Sequence, residues 1–545
     1  MTSHDEHGEP AAASPEMIDP KTDEILLEIS LAAHDHGKSL TEHLTAFPTR
    51  PGPKINLVIP HLSERSSEQS YVDRGIEHAY RSRLYTRSSD ARPNASPFAK
   101  DYARIIHSPS FRKLQGKSQL VPAGENYFFR TRLTHSLEVA EIATRIAFKL
   151  IRDGFTEHLL DPNLVASAAL LHDIGHPPFG HSGEYALHRK MEDFGGFEGN
   201  AQTLRLVTRL ENRLGRGGTV QDVYAEPRGL NLTVGTLASI IKYDRMYDGP
   251  KDEEGNLCVK KAYYREEKDI VSKVKERLHV APEERLYTIE CQIMDIADDI
   301  AYFAYDLEDT MEAGIVTPFD FISVDDEMLE RIRVDVLKQY KKRSLNGEAD
   351  GGFEVSHGDI VEELAKVFAT ILVYADPKHP YNLEEWTQRV VFVGRSHLEA
   401  VMHAKNPLIR RQFLETLIEG NIEAIRVELD GDRPFMSKLK IRPDRLLTIE
   451  VMKSFNYHKV ISSRKFQVPR YRGGYVVESL FDIFEQDTEG RLLSERLRTQ
   501  LKRLERGERM RLIADRIAAL TDVEALRLHN QLNGGRDSSL FEYDE

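Results

Sequence analysis

The 545-residue chain has two cysteines and one tryptophan, and little in it suggests a covalent or membrane scaffold. Cys258 and Cys291 have no CxxC partners, so neither a thiolate metal site nor a disulfide framework organises the fold. No stretch approaches the uninterrupted apolar length of a bilayer-crossing helix. The polar, acidic opening Met1 to Pro10 also lacks the cationic and apolar pattern of an export signal. A soluble, cytoplasmic protein without a membrane partner is the expectation. Positive charge is in deficit, with a formal net charge of -14, which argues against a surface made wholly for nucleic acid. Local basic clusters nevertheless occur at Arg464 to Arg472, with Phe466 and Tyr471 interleaved, and from Arg496 to Arg511. Cations beside aromatic rings can hold a phosphate backbone and stack bases, but solvated faces of a helix and a loop are the simpler account.

Apolar residues make up 40% of the chain, enough for a sizeable core. Strict two-residue alternation is scarce, whereas three- and four-residue apolar spacing sets in from about Pro97 and persists. The fold class is therefore mainly α. Residues 1 to about 70 carry AAASP, TRPGP and SERSSEQS segments and one apolar stretch, Ile25 to Leu31, and read as a weakly structured leader. A helical core over residues 71–312 and a helical C-terminal region over 313–545 follow. Asp248 to Asn256 and Ser344 to Gly352 read as surface excursions, and Asp537 to Glu545 as a frayed tail.

Three helices carry the polar residues of interest. The first is expected from Thr134 as its N-cap, placing His135 in the first turn. The second starts at the Asp161-Pro162 cap, runs through LVASAALL and is expected to stop at Gly175, so His172 and Asp173 occupy its last turn. The third is expected from about Pro282 to Gly314, with Asp295, Asp298, Tyr302 and Asp306 on one face.

His172 to Glu184, HDIGHPPFGHSGE, is the densest chemical feature, with three histidines, an aspartate and a glutamate around a Gly-Pro-Pro-Gly loop. Adjacent histidine and aspartate at a helix end can offer an imidazole nitrogen and a carboxylate oxygen to one divalent ion. His135 and Asp298 are the natural additional ligands, because each sits on an apolar helix where a polar group needs a partner. Taken singly, each has a plain structural alternative: a helix terminus for His172-Asp173, a cap for His135, a solvated helix face for Asp298 and Asp299. Together they are harder to dismiss, since the same explanation must be repeated on several greasy helices.

Four segments, FRKLQGKSQLVPAGENYFFRTRLTHSLEVAEIA (Phe111 to Ala143), LLHDIGHPPFGHSGE (Leu170 to Glu184), FEGNAQTLRLV (Phe197 to Val207) and MDIADDIAYFAYDLED (Met294 to Asp309), resemble in order and spacing the signatures of bacterial deoxyguanosinetriphosphate triphosphohydrolases of the HD-domain superfamily. YRGGYVVESLFDIF (Tyr471 to Phe484) resembles the C-terminal part of that family more loosely. The resemblance implies an HD-domain helical core with a helical C-terminal extension. It implies a divalent ion, Mg²⁺ or Mn²⁺ foremost with Fe, Co or Zn compatible, on His135, His172, Asp173 and Asp298. His181 and Glu184 match the family's catalytic pair, and His176 matches a histidine near the α-phosphate that could equally be a packing residue. Substrate contacts carried over are Arg112, Gln119, Arg132, Asn200, Lys242, Tyr243, Lys260, Tyr302 and Asp306. At Lys260 the run Lys260-Lys261-Ala262-Tyr263 departs from the family's pattern, so the alignment can slip by one.

The implied activity is hydrolysis of dGTP, and of other deoxynucleoside triphosphates, to a deoxynucleoside and inorganic triphosphate. A phosphatase or phosphodiesterase acting on smaller nucleotides is the alternative within the superfamily; a nucleotide-sensing regulator that binds single-stranded DNA is the alternative outside catalysis. Homo-oligomers, hexamers included, and single-stranded DNA are further partners implied by the resemblance.

Overall fold

The computed structural model describes residues 75–85, 96–120, 130–155, 160–212, 228–249, 258–345, 354–371 and 406–534. The expected leader, the acidic tail, and residues 250–256 and 346–352 of the two excursions lie outside the described residues. Among those described, helices dominate, and the one sheet pairs β1 (Ile425–Glu428) with β2 (Lys438–Ile441) in antiparallel register, Ile425 opposite Ile441.

Helix α1 (Pro97–Ile106) precedes α2 (Arg132–Arg152), whose inward stripe of Val139, Ile142, Ala143, Ile146 and Leu150 follows the helical period. The cap of α2 is Thr131 rather than Thr134. The two threonines close a reciprocal box in which the Thr134 hydroxyl accepts the Thr131 amide at 3.0 Å, and His135 follows directly. Helix α3 (Pro162–Leu171) has the expected start, with Asp161 accepting the Asn163 amide at 2.9 Å and proline at the first position. Every residue from Leu164 to Leu171 is buried; at about 1.5–3 kcal/mol for each large side chain, this makes α3 a central strut.

Helix α3 ends at Leu171, earlier than the sequence suggests, and His172 is its cap. Gly175 is not the stop. Its role is close approach: a Cβ there would lie 2.3 Å from the Gly199 carbonyl and the Thr203 amide, so only glycine lets α5 (Gly199–Arg205) pack against the loop. Between them lies α4 (Gly180–Lys190), entered through Phe179 with φ of 62°. Helix α6 (Ile289–Glu312) starts seven residues after the expected Pro282, where Thr288 accepts the Cys291 amide at 3.3 Å. It lies against both α2 and α3, which brings the His135, His172 and Asp298 positions together.

Past α6, the chain continues through α7 (Asp326–Leu345), the hairpin, α8 (Pro443–Asn456), a π turn over Tyr457–Ile461, α9 (Arg464–Gln486), α10 (Arg506–Ala518) and α11 (Asp522–Asn533). One apolar cluster extends from α2, α3 and α6 through Val336, Phe413 and Val451, so the core does not break at residue 312. A second cluster joins Ala186 and Leu187 of α4 to Val477 and Leu480 of α9, Ile513 and Ile517 of α10, and Ala525 of α11. The helix that carries His181 and Glu184 is therefore packed on the C-terminal helices. No described helix is long and apolar enough to cross a membrane.

Candidate active site

His172 caps α3 with its ring turned back: Nδ1 lies 2.6 Å from the Ala169 carbonyl. That bond places a proton on Nδ1 and turns Nε2 toward the cluster, where this buried nitrogen has no hydrogen-bond partner. Nε2 lies 3.5 Å from Asp173 Oδ2 and 3.6 Å from Asp298 Oδ1. His135 Nε2, from the first turns of α2, lies 3.1 Å from the same Asp298 oxygen. Two imidazole nitrogens and two carboxylates thus converge from α2, α6 and the end of α3, and donor atoms of His135, His172 and Asp173 lie within 4.8 Å of one another. The orphaned Nε2 and the mixed nitrogen and oxygen donors fit a borderline or hard divalent ion.

Burial pushes the Asp173 carboxyl up, but Arg132 and the neighbouring histidines outweigh it and hold it well below the usual range. Asp298 is likewise pushed up by burial and held below its ordinary value by His172 and His135. Its neighbour Asp299 faces elsewhere, accepting Lys453 Nζ at 2.6 Å and an Arg343 guanidinium nitrogen, with Glu450 completing the network. That network commits Asp299 to joining α6, α7 and α8, and leaves Asp298 facing the cavity.

The cavity beside this cluster has a volume of about 370 Å³. Also lining it, His181 Nδ1 lies 2.9 Å from Glu184 Oε2, while Glu184 Oε1 accepts the Gly199 amide at 2.7 Å. His181 is largely exposed and Glu184 buried, so the carboxylate is the fixed member of the pair. His176 lies between the two groups, its Nδ1 3.1 Å from Asp173 Oδ1, with burial pushing its pKa down to about 3 and thereby keeping the ring neutral. Gln119, Arg132, Asn200 and Lys242 line the cavity, as do Tyr302 and Asp306, which follow Asp298 along one face of α6. Burial pushes Asp306 up to about 7. Asp295 sits at the edge of that face, paired with Lys242 and accepting the Tyr287 hydroxyl at 3.1 Å.

Three expected contacts lie off the cavity wall. Arg112 is exposed on a short helix, Pro109–Lys113. Tyr243 stands behind the wall with Lys242 and Lys261 over its ring, at 5.8 and 5.3 Å. Lys260 pairs with Asp248 at 3.0 Å, and Lys261 lines the cavity in its place. The Lys260-Lys261 pair marks in the sequence where the alignment can slip by one, whereas other wall residues had weaker signals. Glu198 caps α5 by accepting the Ala201 amide at 2.8 Å and has its carboxyl raised to about 7 by burial and nearby Glu184. Arg470 comes from the basic cluster on α9. Tyr457 and Ile461 come from the π turn, whose five-residue repeat breaks the helical register used to read faces from sequence. The basic cluster itself divides: Phe466 is buried, Arg470 faces the cavity, and Tyr471 is exposed.

Residues 132–302 match the HD domain family and residues 439–531 the phosphohydrolase-associated domain. The chain is 35% identical over 462 residues to deoxyguanosinetriphosphate triphosphohydrolase-like protein 2 of Mesorhizobium japonicum, covering 82% of this chain and 94% of that protein. It is 34% identical over 485 residues to a deoxyguanosinetriphosphate triphosphohydrolase-like protein of Shewanella loihica, covering 82% and 95%. A third such protein, from Aliivibrio fischeri, is 32% identical over 473 residues, with 80% and 93% covered. The first family match begins at Arg132 and ends at Tyr302, so it encloses the converging histidines and aspartates and the His181-Glu184 pair. The chain belongs to the deoxyguanosinetriphosphate triphosphohydrolase-like family and is an HD-type phosphohydrolase.

Proposed function

We propose that the protein hydrolyses deoxynucleoside triphosphates, dGTP among them, to a deoxynucleoside and inorganic triphosphate. The observation that carries this reading is that the four-residue donor cluster and the His181-Glu184 pair face one cavity that is also lined by Arg132, Lys242, Lys261 and Arg470. Several cations beside one cluster suit a polyphosphate better than a single phosphate. His135, His172, Asp173 and Asp298 would hold the divalent ion. When bound, such an ion neutralises phosphate charge and lowers the pKa of a coordinated water from roughly 16 to roughly 7.

The chain's own groups supply the rest. Arg132, Lys242 and Lys261 bind phosphate oxygens and orient the α-phosphorus. Attack of water there breaks the bond to the 5′-oxygen, and His181 donates a proton to that oxygen as it leaves, with Glu184 holding the ring. The Tyr302 ring supports the sugar, and Asp306 accepts its 3′-hydroxyl. A ring close under C2′ leaves no room for a ribonucleotide's second hydroxyl. Tyr457 and Ile461 form the wall left for the base.

Incubating the protein with each deoxynucleoside triphosphate and Mg²⁺ or Mn²⁺, and identifying the products, tests the reading. Inorganic triphosphate supports it; diphosphate, monophosphate or cleavage of smaller nucleotides alone rejects it.

A further inference from the structure

Asp522 is 1% exposed at the first position of α11, and no step above uses it. Its Oδ1 accepts the Phe179 amide at 2.9 Å, and its Oδ2 accepts the Ser118 amide at 3.0 Å together with the Ser118 hydroxyl. Ser118 is followed by the cavity-lining Gln119, and Phe179 stands two residues before His181. One buried carboxylate therefore ties together two separate lips of the cavity.

The tie falls where the backbone needs it. Phe179 has φ of 62°, a left-handed conformation that is strained for a non-glycine residue and persists only when its surroundings impose it. Asp522 holds its amide, and α9 leaves room for its ring: a Cβ at Gly473 would lie 2.6 Å from Phe179 Cβ. The same corner grips the loop a second time, because buried Lys117 donates to the carbonyls of His176, at 2.5 Å, and Ala518, at 2.9 Å, the latter ending α10. The entry angle of α4, and with it the direction of His181, is thus set by contacts from the C-terminal helices.

We propose that Asp522 is a positioning residue that, through Phe179 and Ser118, aims His181 at the leaving group. The proposal rests on the triphosphohydrolase reading, and a second readout separates the two. Asp522→Asn keeps the shape but replaces one acceptor oxygen with an amide that faces an N–H donor, so one of the two ties breaks. The expected result is a kcat about 10- to 100-fold lower with KM within about threefold of wild type, because misaim costs the chemical step more than binding. Bound Mn²⁺ per chain stays unchanged, and amide hydrogen exchange accelerates in the 172–185 segment but not in α2 or α6.

Asp482→Ala, which removes a surface pair with Lys190 at 2.6 Å on the same helices, should change neither kcat nor exchange. If Asp522→Asn does not fold, Ser118→Ala removes the hydroxyl tie alone and should lower kcat by about two- to fivefold with the same local exchange signature. A folded Asp522→Asn protein with wild-type kcat and exchange overturns the proposal, as does an unaltered Ser118→Ala protein in the other case. If wild type releases no triphosphate the functional reading fails, while the exchange comparison still decides whether Asp522 holds the loop.

Discussion

Glu184 joins His181 to Gly199, accepting the imidazole on one oxygen at 2.9 Å and the backbone amide on the other at 2.7 Å. Burial pushes the Glu184 carboxyl up, but the bonds from His181 and from the Gly199 amide outweigh it and hold it down at about 2. The carboxylate is anionic at neutral pH and cannot swing away from the ring without abandoning a buried amide. His181→Ala should lower kcat by about a hundred- to ten-thousandfold while the protein still binds its metal. Steady-state kinetics beside metal analysis checks this, and full activity in the variant would remove His181 from the chemistry.

The donor cluster predicts the opposite pattern. Asp173→Ala and Asp298→Ala each remove a carboxylate from beside two histidines, so metal content and turnover should fall together. Chelation of wild type should abolish turnover, with added Mg²⁺ or Mn²⁺ restoring it. Asp299→Asn should leave metal content intact and instead lower thermal stability, because Asp299 serves the Arg343 and Lys453 network.

Substrate affinity should distinguish two adjacent lysines. Lys261 lines the cavity, whereas Lys260 is paired with Asp248 outside it. Lys261→Ala should raise KM by about tenfold, and Lys260→Ala should leave it within about twofold of wild type. The reverse ranking would mean that the substrate enters by another face.

Lys117 predicts a dependence of stability on pH. Burial pushes its ammonium down from 10.5 to about 7, and a neutral amine still has two N–H donors for the carbonyls of His176 and Ala518. Between those values the unfolded chain holds the proton and the folded chain does not, so unfolding becomes harder as pH rises through that window and is unaffected below it. The contribution is roughly a kcal/mol per pH unit. Lys117→Met should lose that rise, seen as a smaller gain in thermal stability between about pH 7.5 and about pH 9.5 than in wild type.

These outcomes follow from features that the sequence exposes unequally. Asp161-Pro162 and the apolar run after it define α3 because capping and burial are local, one-helix properties. The four donor residues are legible for a similar reason: each is a polar group on a greasy helix or just past the end of one. Thr131 and Thr134 both make sound caps, and only the reciprocal box decides between them. Gly175 looks like a helix stop, but its real constraint is the approach of α5, a contact between segments that no local pattern carries. Tyr457 and Ile461 were out of reach, and Arg470 was visible only as part of a basic cluster, because a π turn and a helix more than a hundred residues downstream of α6 complete the wall. Arg112 and Lys260 were placed by likeness of motif, and motif likeness does not encode which way a surface cation turns.

The most direct test of the account is the phosphorus-containing product released from dGTP in the presence of Mg²⁺ or Mn²⁺, resolved by ³¹P spectroscopy or ion chromatography. Attack at the α-phosphorus predicts inorganic triphosphate and deoxyguanosine in equal amounts from the first turnover. Release of orthophosphate or diphosphate, with deoxyguanosine nucleotides left behind, would contradict it.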